Sequence, residues 1–296
     1  MSRHRERGVA LVAAAVALAL LSALATSLAW TSTIDQRLAR NALAALQADA
    51  LVRSGVAAAA VVLREASAAG LLDTLRAPWA QPSGAQPLGA GTVEVTIEDE
   101  ARRLDLNTFP GTLPRLLGAL GLDPRLAETL ADWTDLDDAP RPGGAERDWY
   151  LALPHPYLPR NAALRTVGEL GLVRGFDRAT VERLRPFVTV AGERAVNPNT
   201  APREVLLALT GSPSTVERLL ATRSGRALGR ADFAALLPGV PGERLCERAT
   251  AYTVRAVATV SEMRRAAAAT LWVPAGTGVD PQVVAWLPLA NDAATR

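Results

Sequence analysis

The chain has 296 residues, of which 49% are hydrophobic and only 4% aromatic, and its formal net charge is +2. This length accommodates one large or two small domains with appendages, and the near-neutral charge gives no sign of a polyanionic partner. The single cysteine, Cys246, excludes an internal disulfide and a thiolate metal cluster, and two histidines leave little material for a zinc site or a triad. Because no nucleophile is paired with a base at a recognisable spacing, we expect no enzyme.

The N-terminus predicts a membrane-spanning helix. A short basic start with Arg3, Arg5 and Arg7 precedes an uncharged stretch from Val9 to Ala29, which is followed by Trp30. A helix of about 20 residues spans the hydrocarbon core of a bilayer. Since positive residues stay on the cytoplasmic side, the N-terminus is expected in the cytoplasm and the remainder across the membrane.

Three interpretations of this segment compete: a secretory signal peptide cut near Ala23-Leu24-Ala25, an ordinary anchor, and a prepilin signal. Gly8 lies between the basic leader and the apolar run, which resembles the type III signal of type IV pilins and pseudopilins. The resemblance implies cleavage between Gly8 and Val9 by a prepilin peptidase, followed by N-methylation of Val9, with the apolar helix retained.

The fifth residue counted from Val9 is Ala13. In the pilin family, major subunits carry a glutamate there that pairs with the terminal amine of the subunit above. A subunit without this carboxylate loses a charge-assisted contact. The loss carries no penalty at the tip, where nothing lies above, and absence of this glutamate is typical of K-type minor pseudopilins.

Periodicity predicts the remaining elements. Apolar residues recur every three to four positions after Ala29 and no proline precedes Pro78, so a single helix is expected to about Ala69, with Gly70 as its stop. A loop is predicted over 78–91, then a hairpin of two strands at 93–97 and 104–107. Short helices follow at 113–120, 124–133, 166–172, 178–187, 214–222 and 231–236, with one more capped by Thr200, and strands return at 251–258 and 268–273.

A series of motifs occurs in order: DWTDLDD at 132–138, GAERDWY at 144–150, PYLPRN at 156–161, ELGLVRG at 169–175 and VNPNTA at 196–201. Together they resemble the general secretion pathway protein K family of the type II secretion system, over roughly residues 1–260. The resemblance implies an α+β fold: a pilin-like long N-terminal helix, transmembrane in its first half, lies against a small antiparallel sheet, with a large all-α insertion of the SAM or helix-hairpin-helix kind. The expected division is leader 1–8, transmembrane helix 9–30, spine and first part of the α/β domain 31–107, insertion 108–245 with a break near 195, and return to the α/β domain and tail 246–296.

The same resemblance implies a minor pseudopilin that forms the pseudopilus tip with I- and J-type minor pseudopilins and primes assembly for protein export. Further expected partners are the prepilin peptidase, the inner-membrane assembly platform and secreted substrates. The expected location is the bacterial inner membrane, crossed once, with the C-terminal domain in the periplasm, and the pseudopilus tip after assembly. A minor pilin of a type IV pilus remains an alternative.

An acidic loop predicts a calcium site. Carboxylates cluster around the Pro140–Gly144 turn, and carboxylate oxygens suit Ca²⁺, which takes about six to eight oxygen ligands. The candidate ligands are Asp135, Asp137, Asp138, Glu146 and Asp148. The family association with calcium in such a loop supports this prediction, although Arg147 stands where the family pattern has an acid. A solvated acidic loop with capping aspartates is the alternative.

A membrane-anchored DNA-uptake receptor is the alternative from another class, because the short helices around 197–236 resemble helix-hairpin-helix modules. The expected Gly-hydrophobic-Gly hairpin is missing; the nearest sequences are Gly211-Ser212-Pro213 and Gly239-Val240-Pro241-Gly242. Between Asp105 and Glu204, acidic residues outnumber arginines, which is the wrong sign for neutralising phosphates. We therefore expect no nucleic-acid partner.

Overall fold

The computed structural model describes the backbone of residues 2–274 and 279–290 and the side chains of residues 14–274 and 279–290. Within these ranges the α-helices are α1 (Ser2–Ala68), α2 (Leu113–Ala119), α3 (Leu126–Thr134), α4 (Arg147–Leu151), α5 (Arg178–Leu184), α6 (Arg203–Thr210), α7 (Pro213–Gly225) and α8 (Arg230–Leu236). The strands are β1 (Gln86–Leu88), β2 (Gly91–Asp99), β3 (Leu104–Asp105), β4 (Val188–Thr189), β5 (Ala251–Val260), β6 (Met263–Trp272) and β7 (Gln282–Leu289). Short 3-10 helices occupy Pro78–Ala80, Glu100–Arg102, Pro110–Thr112, Val167–Leu172, Arg185–Phe187 and Gly242–Arg244.

The long helix α1 confirms the predicted spine. Its 67 residues extend roughly 100 Å at the α-helical rise, and the chain leaves the helix through Gly70, whose φ of +66° suits a glycine. The stretch Ala14–Ala68 is long and apolar enough to cross a membrane, with a mean hydropathy of 1.8 in its most apolar window. None of the residues in that window is buried, whereas from Ala48 onward one face of the helix is buried.

That buried face of α1 packs against an antiparallel sheet. The five strands of the sheet lie in the order β1-β2-β5-β6-β7, and β2 pairs with β5 from Thr92↔Thr259 to Asp99↔Tyr252. Alternate residues of β2 and β5 face α1 because successive side chains of a strand point to opposite sides. Buried side chains from 48–101 and 249–273 form one core between helix and sheet, which confirms the α+β, pilin-like fold.

Two strand predictions differ from the structure. The segment 104–107 does not return beside β2 as a hairpin; β3 pairs in parallel with β4 in a separate two-stranded sheet. The reason is that the 3-10 turn Glu100–Arg102 redirects the chain away from β2, whose free side is taken by β5 instead. The predicted loop 78–91 also contains the short edge strand β1, and β7 was not predicted.

The helices α2 to α8 enclose a second core. Its buried side chains come from residues between Leu104 and Leu245, and the largest fully buried ones include Tyr150, Phe109 and Leu206. The two cores are thus built from different stretches of the chain. The predicted domain boundaries at 107/108 and 245/246 and the break near 195 remain predictions.

A buried polar network joins the two cores beyond the end of α1. Asn197 donates from its side chain to the Asp73 carbonyl at 3.0 Å and to the Asp99 carboxylate at 3.2 Å. Tyr252 donates to the Asp73 carboxylate at 2.5 Å. Thr200 donates to Asp99 at 2.7 Å, and so it does not cap a helix as predicted; α6 begins after Pro202. The VNPNTA motif therefore fastens the helical part to the membrane-distal end of the spine.

This network predicts a stability that falls as the pH rises. Burial raises the pKa of Asp99 from 3.8 to about 7, and the charge of Asp73 acts in the same direction. Between about pH 4 and 7 the folded state therefore keeps a proton that the unfolded state has released, and the stabilisation is lost as the pH rises through this window. We expect the melting temperature of the detergent-solubilised chain to drop by roughly 5–10 °C from pH 5 to pH 8.

Asp99→Asn is expected to reduce this pH dependence, because an amide keeps the neutral form at every pH. Glu243→Gln is the matched control, since Glu243 is exposed. An unaltered pH profile in Asp99→Asn would show that Asp99 is ionised throughout.

Candidate metal centre

The acidic loop lies between α3 and α4. Asp132 is on the last turn of α3 and Asp135 directly follows that helix, while Glu146 immediately precedes α4. One carboxylate oxygen from each of these three residues lies within 4.8 Å of the other two. The loop thus folds back so that carboxylates from both of its ends converge on one point.

Asp132 was missing from the predicted ligands, and its side chain is fully buried. It precedes Asp135 by three positions, and residues at this spacing lie on the same face of a helix. That spacing in the DWTDLDD motif could have identified it.

The other predicted ligands lie apart from this convergence. Asp137 is exposed, and its carboxylate accepts from the Ala139 N–H at 2.9 Å, which is a local turn contact. Asp138 and Asp148 are exposed too. Only Asp135 and Glu146 of the five sequence candidates are therefore in the group of three.

The Arg141 guanidinium sits against two of the three carboxylates. Its Nη1 lies 2.6 Å from Asp132 Oδ1 and 2.5 Å from Asp135 Oδ2. Both carboxylates raise the pKa of Arg141 further above its ordinary value, so it is charged at every relevant pH. The guanidinium neutralises one of three negative charges.

Glu146 is left without compensation. The residue is only 5% exposed, and both its carboxylate oxygens are buried without a hydrogen-bond partner, as is Oδ1 of Asp135. Burial, together with repulsion from the neighbouring aspartates, raises the pKa of Glu146 to about 7. A buried, unpaired carboxylate costs several kcal/mol in general, so this arrangement is one that a cation would stabilise.

The backbone holds the loop in this shape. Gly143 N–H donates to Glu128 at 2.6 Å, and Arg174 donates to the Gly144 carbonyl at 2.9 Å while its guanidinium covers the Trp149 ring. A Cβ at Gly144 would lie 1.7 Å from Asp132 Oδ2, so only glycine fits beside that carboxylate. The convergence of the carboxylates is therefore fixed by backbone contacts that are independent of any metal.

The donor set fits calcium. All three groups are carboxylates, the hard oxygen ligands that Ca²⁺ selects, and three of their oxygens have no partner within the described residues. When all three carboxylates are ionised, the charge of Arg141 leaves two net negative charges, which a divalent cation matches. Asp132, Asp135 and Glu146 would hold such an ion.

The predicted processing residues lie outside the described side chains. Gly8, Val9 and Ala13 are part of α1 by their backbone. Cleavage at Gly8, methylation of Val9 and the consequences of alanine at position 13 stay predictions.

Comparison with known proteins agrees with this architecture. Residues 98–193 match the family model described as type II secretion system (T2SS), protein K. The chain is 31% identical over 215 residues to type II secretion system protein K of Klebsiella pneumoniae, covering 66% of each chain. It is 28% identical over 207 residues to the putative type II secretion system protein K of Escherichia coli K12, covering 63% of each.

The chain also shares its fold with a chain in the crystal structure of the GspK-GspI-GspJ complex from the enterotoxigenic Escherichia coli type 2 secretion system. The TM-score is 0.72 at 21% identity, with 88% of this chain and 100% of that chain covered. The sequence alignments with the two type II secretion proteins K span about two thirds of the length of those relatives. The family model, the curated relatives and the shared fold all agree with the motif series, and the chain belongs to the type II secretion system protein K family.

Proposed function

We propose that this protein is a minor pseudopilin that stands at the tip of the pseudopilus and primes its assembly, as a structural component and not an enzyme. One observation carries the proposal: a pilin-like spine and sheet bear a helical part at the membrane-distal end of the spine. The network of Asp73, Asp99 and Asn197 joins this helical part to the segment that follows α1 and to the end of β2. A subunit of this shape leaves no room for another subunit on top.

The helix α1 has two functions in this proposal. In the inner membrane its apolar segment anchors the protein, with the N-terminus in the cytoplasm and the sheet and helices in the periplasm. During assembly the same exposed apolar surface packs against the helices of neighbouring pseudopilins. Processing by the prepilin peptidase and extraction by the assembly platform precede this step.

I- and J-type minor pseudopilins are the proposed neighbours, because the protein of shared fold was crystallised with GspI and GspJ. The detergent-solubilised full chain, co-expressed with its own organism's I- and J-type proteins, is expected to elute from size exclusion as a stable ternary complex. The major pseudopilin, co-expressed in the same way, serves as the control and is expected to elute separately. Separate elution of all three minor subunits would contradict the tip complex.

Calcium binding at Asp132, Asp135 and Glu146 is the second part of the proposal. We expect the melting temperature of the full chain in detergent to rise with free calcium, because a ligand that binds only the folded state stabilises it, by about 2.7 kcal/mol at a hundred times the Kd. Magnesium is expected to act less, since it dehydrates reluctantly and demands a stricter octahedral geometry.

Glu146→Gln separates this site from a merely acidic loop. Both Glu146 oxygens lack a partner, so the amide is expected to leave the metal-free melting temperature unchanged or higher while removing the response to calcium. Asp148→Asn, at an exposed carboxylate two residues away, is the matched control that keeps the response. A wild-type melting curve that is the same from micromolar to millimolar calcium would leave only the solvated loop.

A further inference from the structure

We infer that Arg141 is a tethered cation that competes with calcium for the carboxylates of Asp132 and Asp135, and so sets the calcium concentration at which the loop binds metal. This inference rests on the calcium site proposed above. The Arg141 side chain cannot itself be a ligand, because a guanidinium has only donors.

The geometry places the guanidinium among the carboxylates that would hold the metal. A single nitrogen, Nη1, lies 2.6 Å from Asp132 Oδ1 and 2.5 Å from Asp135 Oδ2. These two carboxylates belong to the group whose oxygens converge within 4.8 Å. Calcium held by these carboxylates would stand next to a positive charge, and so each cation weakens the binding of the other.

The side chain is free to leave because it does not hold the loop. Arg141 anchors the loop with its backbone: its N–H donates to Asp132 Oδ2 at 3.1 Å, and its carbonyl accepts from the Gly144 N–H at 2.9 Å. The side chain is 42% exposed, so the guanidinium can swing into water without crossing the core. The anchor and the exchangeable charge are therefore separate groups of one residue.

The arginine satisfies the site only in part. It neutralises one charge and leaves both Glu146 oxygens unpartnered. All three carboxylates would coordinate a divalent cation, whereas Arg141 contacts only two of them. The guanidinium thus pairs with Asp132 and Asp135 at low calcium and is displaced at higher calcium concentration, so Arg141 raises the calcium concentration that the site requires.

The test is calcium affinity measured by isothermal titration of the detergent-solubilised full chain with CaCl₂. Arg141→Met keeps the backbone anchor and the apolar length but removes the competing charge. We expect it to bind calcium about 10- to 100-fold more tightly than the wild type, which corresponds to losing charge-assisted hydrogen bonds that calcium must otherwise displace. Arg147→Met, which removes a positive charge from an exposed position of the same loop, is expected to change the affinity by about twofold or less, as for a screened surface charge.

Each outcome decides. Tighter binding in Arg141→Met alone supports the inference, and so does binding in that variant when the wild type shows none. Equal or weaker binding in Arg141→Met, with a wild type that binds, overturns the competition and leaves the calcium site intact. Equal tightening in both arginine variants overturns it as a general charge effect, and absence of binding in all forms removes the calcium site together with it.

If Arg141→Met does not fold without metal, Arg141→Lys takes its place. Lysine keeps the charge but holds two carboxylates less firmly, because its ammonium is strongly hydrated and lacks the planar fork. An affinity above the wild type supports the competition, and an affinity at or below it is the contrary result.

Discussion

Protein extracted from membranes is expected to begin at Val9, with a methylated amine. Gly8 lies between the basic leader and the uncharged run, and family membership adds weight to a prepilin signal there. Intact-mass measurement and N-terminal sequencing check the start. A start near Thr26 would indicate a secretory peptidase and contradict the pseudopilin role, whereas an intact Met1 would indicate an ordinary anchor.

Gly8→Val is expected to abolish this cleavage and, with it, incorporation into fibres. The uncleaved helix keeps Arg3, Arg5 and Arg7, and each arginine costs on the order of 3 kcal/mol at the centre of a bilayer. Moving the helix out of the membrane into a fibre would carry these charges through the hydrocarbon, so the variant remains in the membrane. Ala15→Val is the control, because it alters the apolar run and leaves the junction intact.

Much of the fold could be predicted because its signals are local. Apolar periodicity and the lack of proline located α1, and Gly70 marked its end at the position where the chain has a positive φ. The alternation of apolar and polar residues located β2 and β5. The pairing of β3 with β4 could not be predicted from the sequence, because strands of two residues are too short to show an alternating pattern and the partner lies far along the chain.

The polar junction shows a second limit of sequence patterns. Thr200 has the chemistry and position of a helix cap. Periodicity alone cannot show that its hydroxyl instead donates to Asp99, a buried carboxylate at the end of β2. Tertiary contacts override a local preference when they satisfy a group that would otherwise be buried without a partner.

The acidic loop shows the same limit at the candidate site. The sequence places seven acidic residues between 128 and 148, and spacing alone does not tell which carboxylates face inward. Asp137 and Asp148 face the solvent, whereas Asp132 and Glu146 are buried at the two ends of the loop. Which of them face inward depends on the backbone conformation at Gly143 and Gly144, and sequence spacing does not show that conformation.

The protein is expected at one end of the fibre. We expect a label on the periplasmic part to appear in few copies per pseudopilus and at one end only. Two features lead to this expectation. Ala13 offers no carboxylate to the amine of a subunit above, and the helical part lies beyond the membrane-distal end of α1, where the next subunit would have to fit.

The two features are separable by one substitution. Ala13→Glu restores the carboxylate but leaves the bulk, and we expect the variant still to label one end only. Electron microscopy of overproduced fibres with labelled protein checks this, and a labelled major pseudopilin under the same conditions should decorate the shaft. Decoration along the shaft by Ala13→Glu alone would mean that the missing charge, and not the bulk, terminates the fibre. Regular decoration by the wild type would refute the cap, because a subunit that repeats along the shaft must accept another one above it.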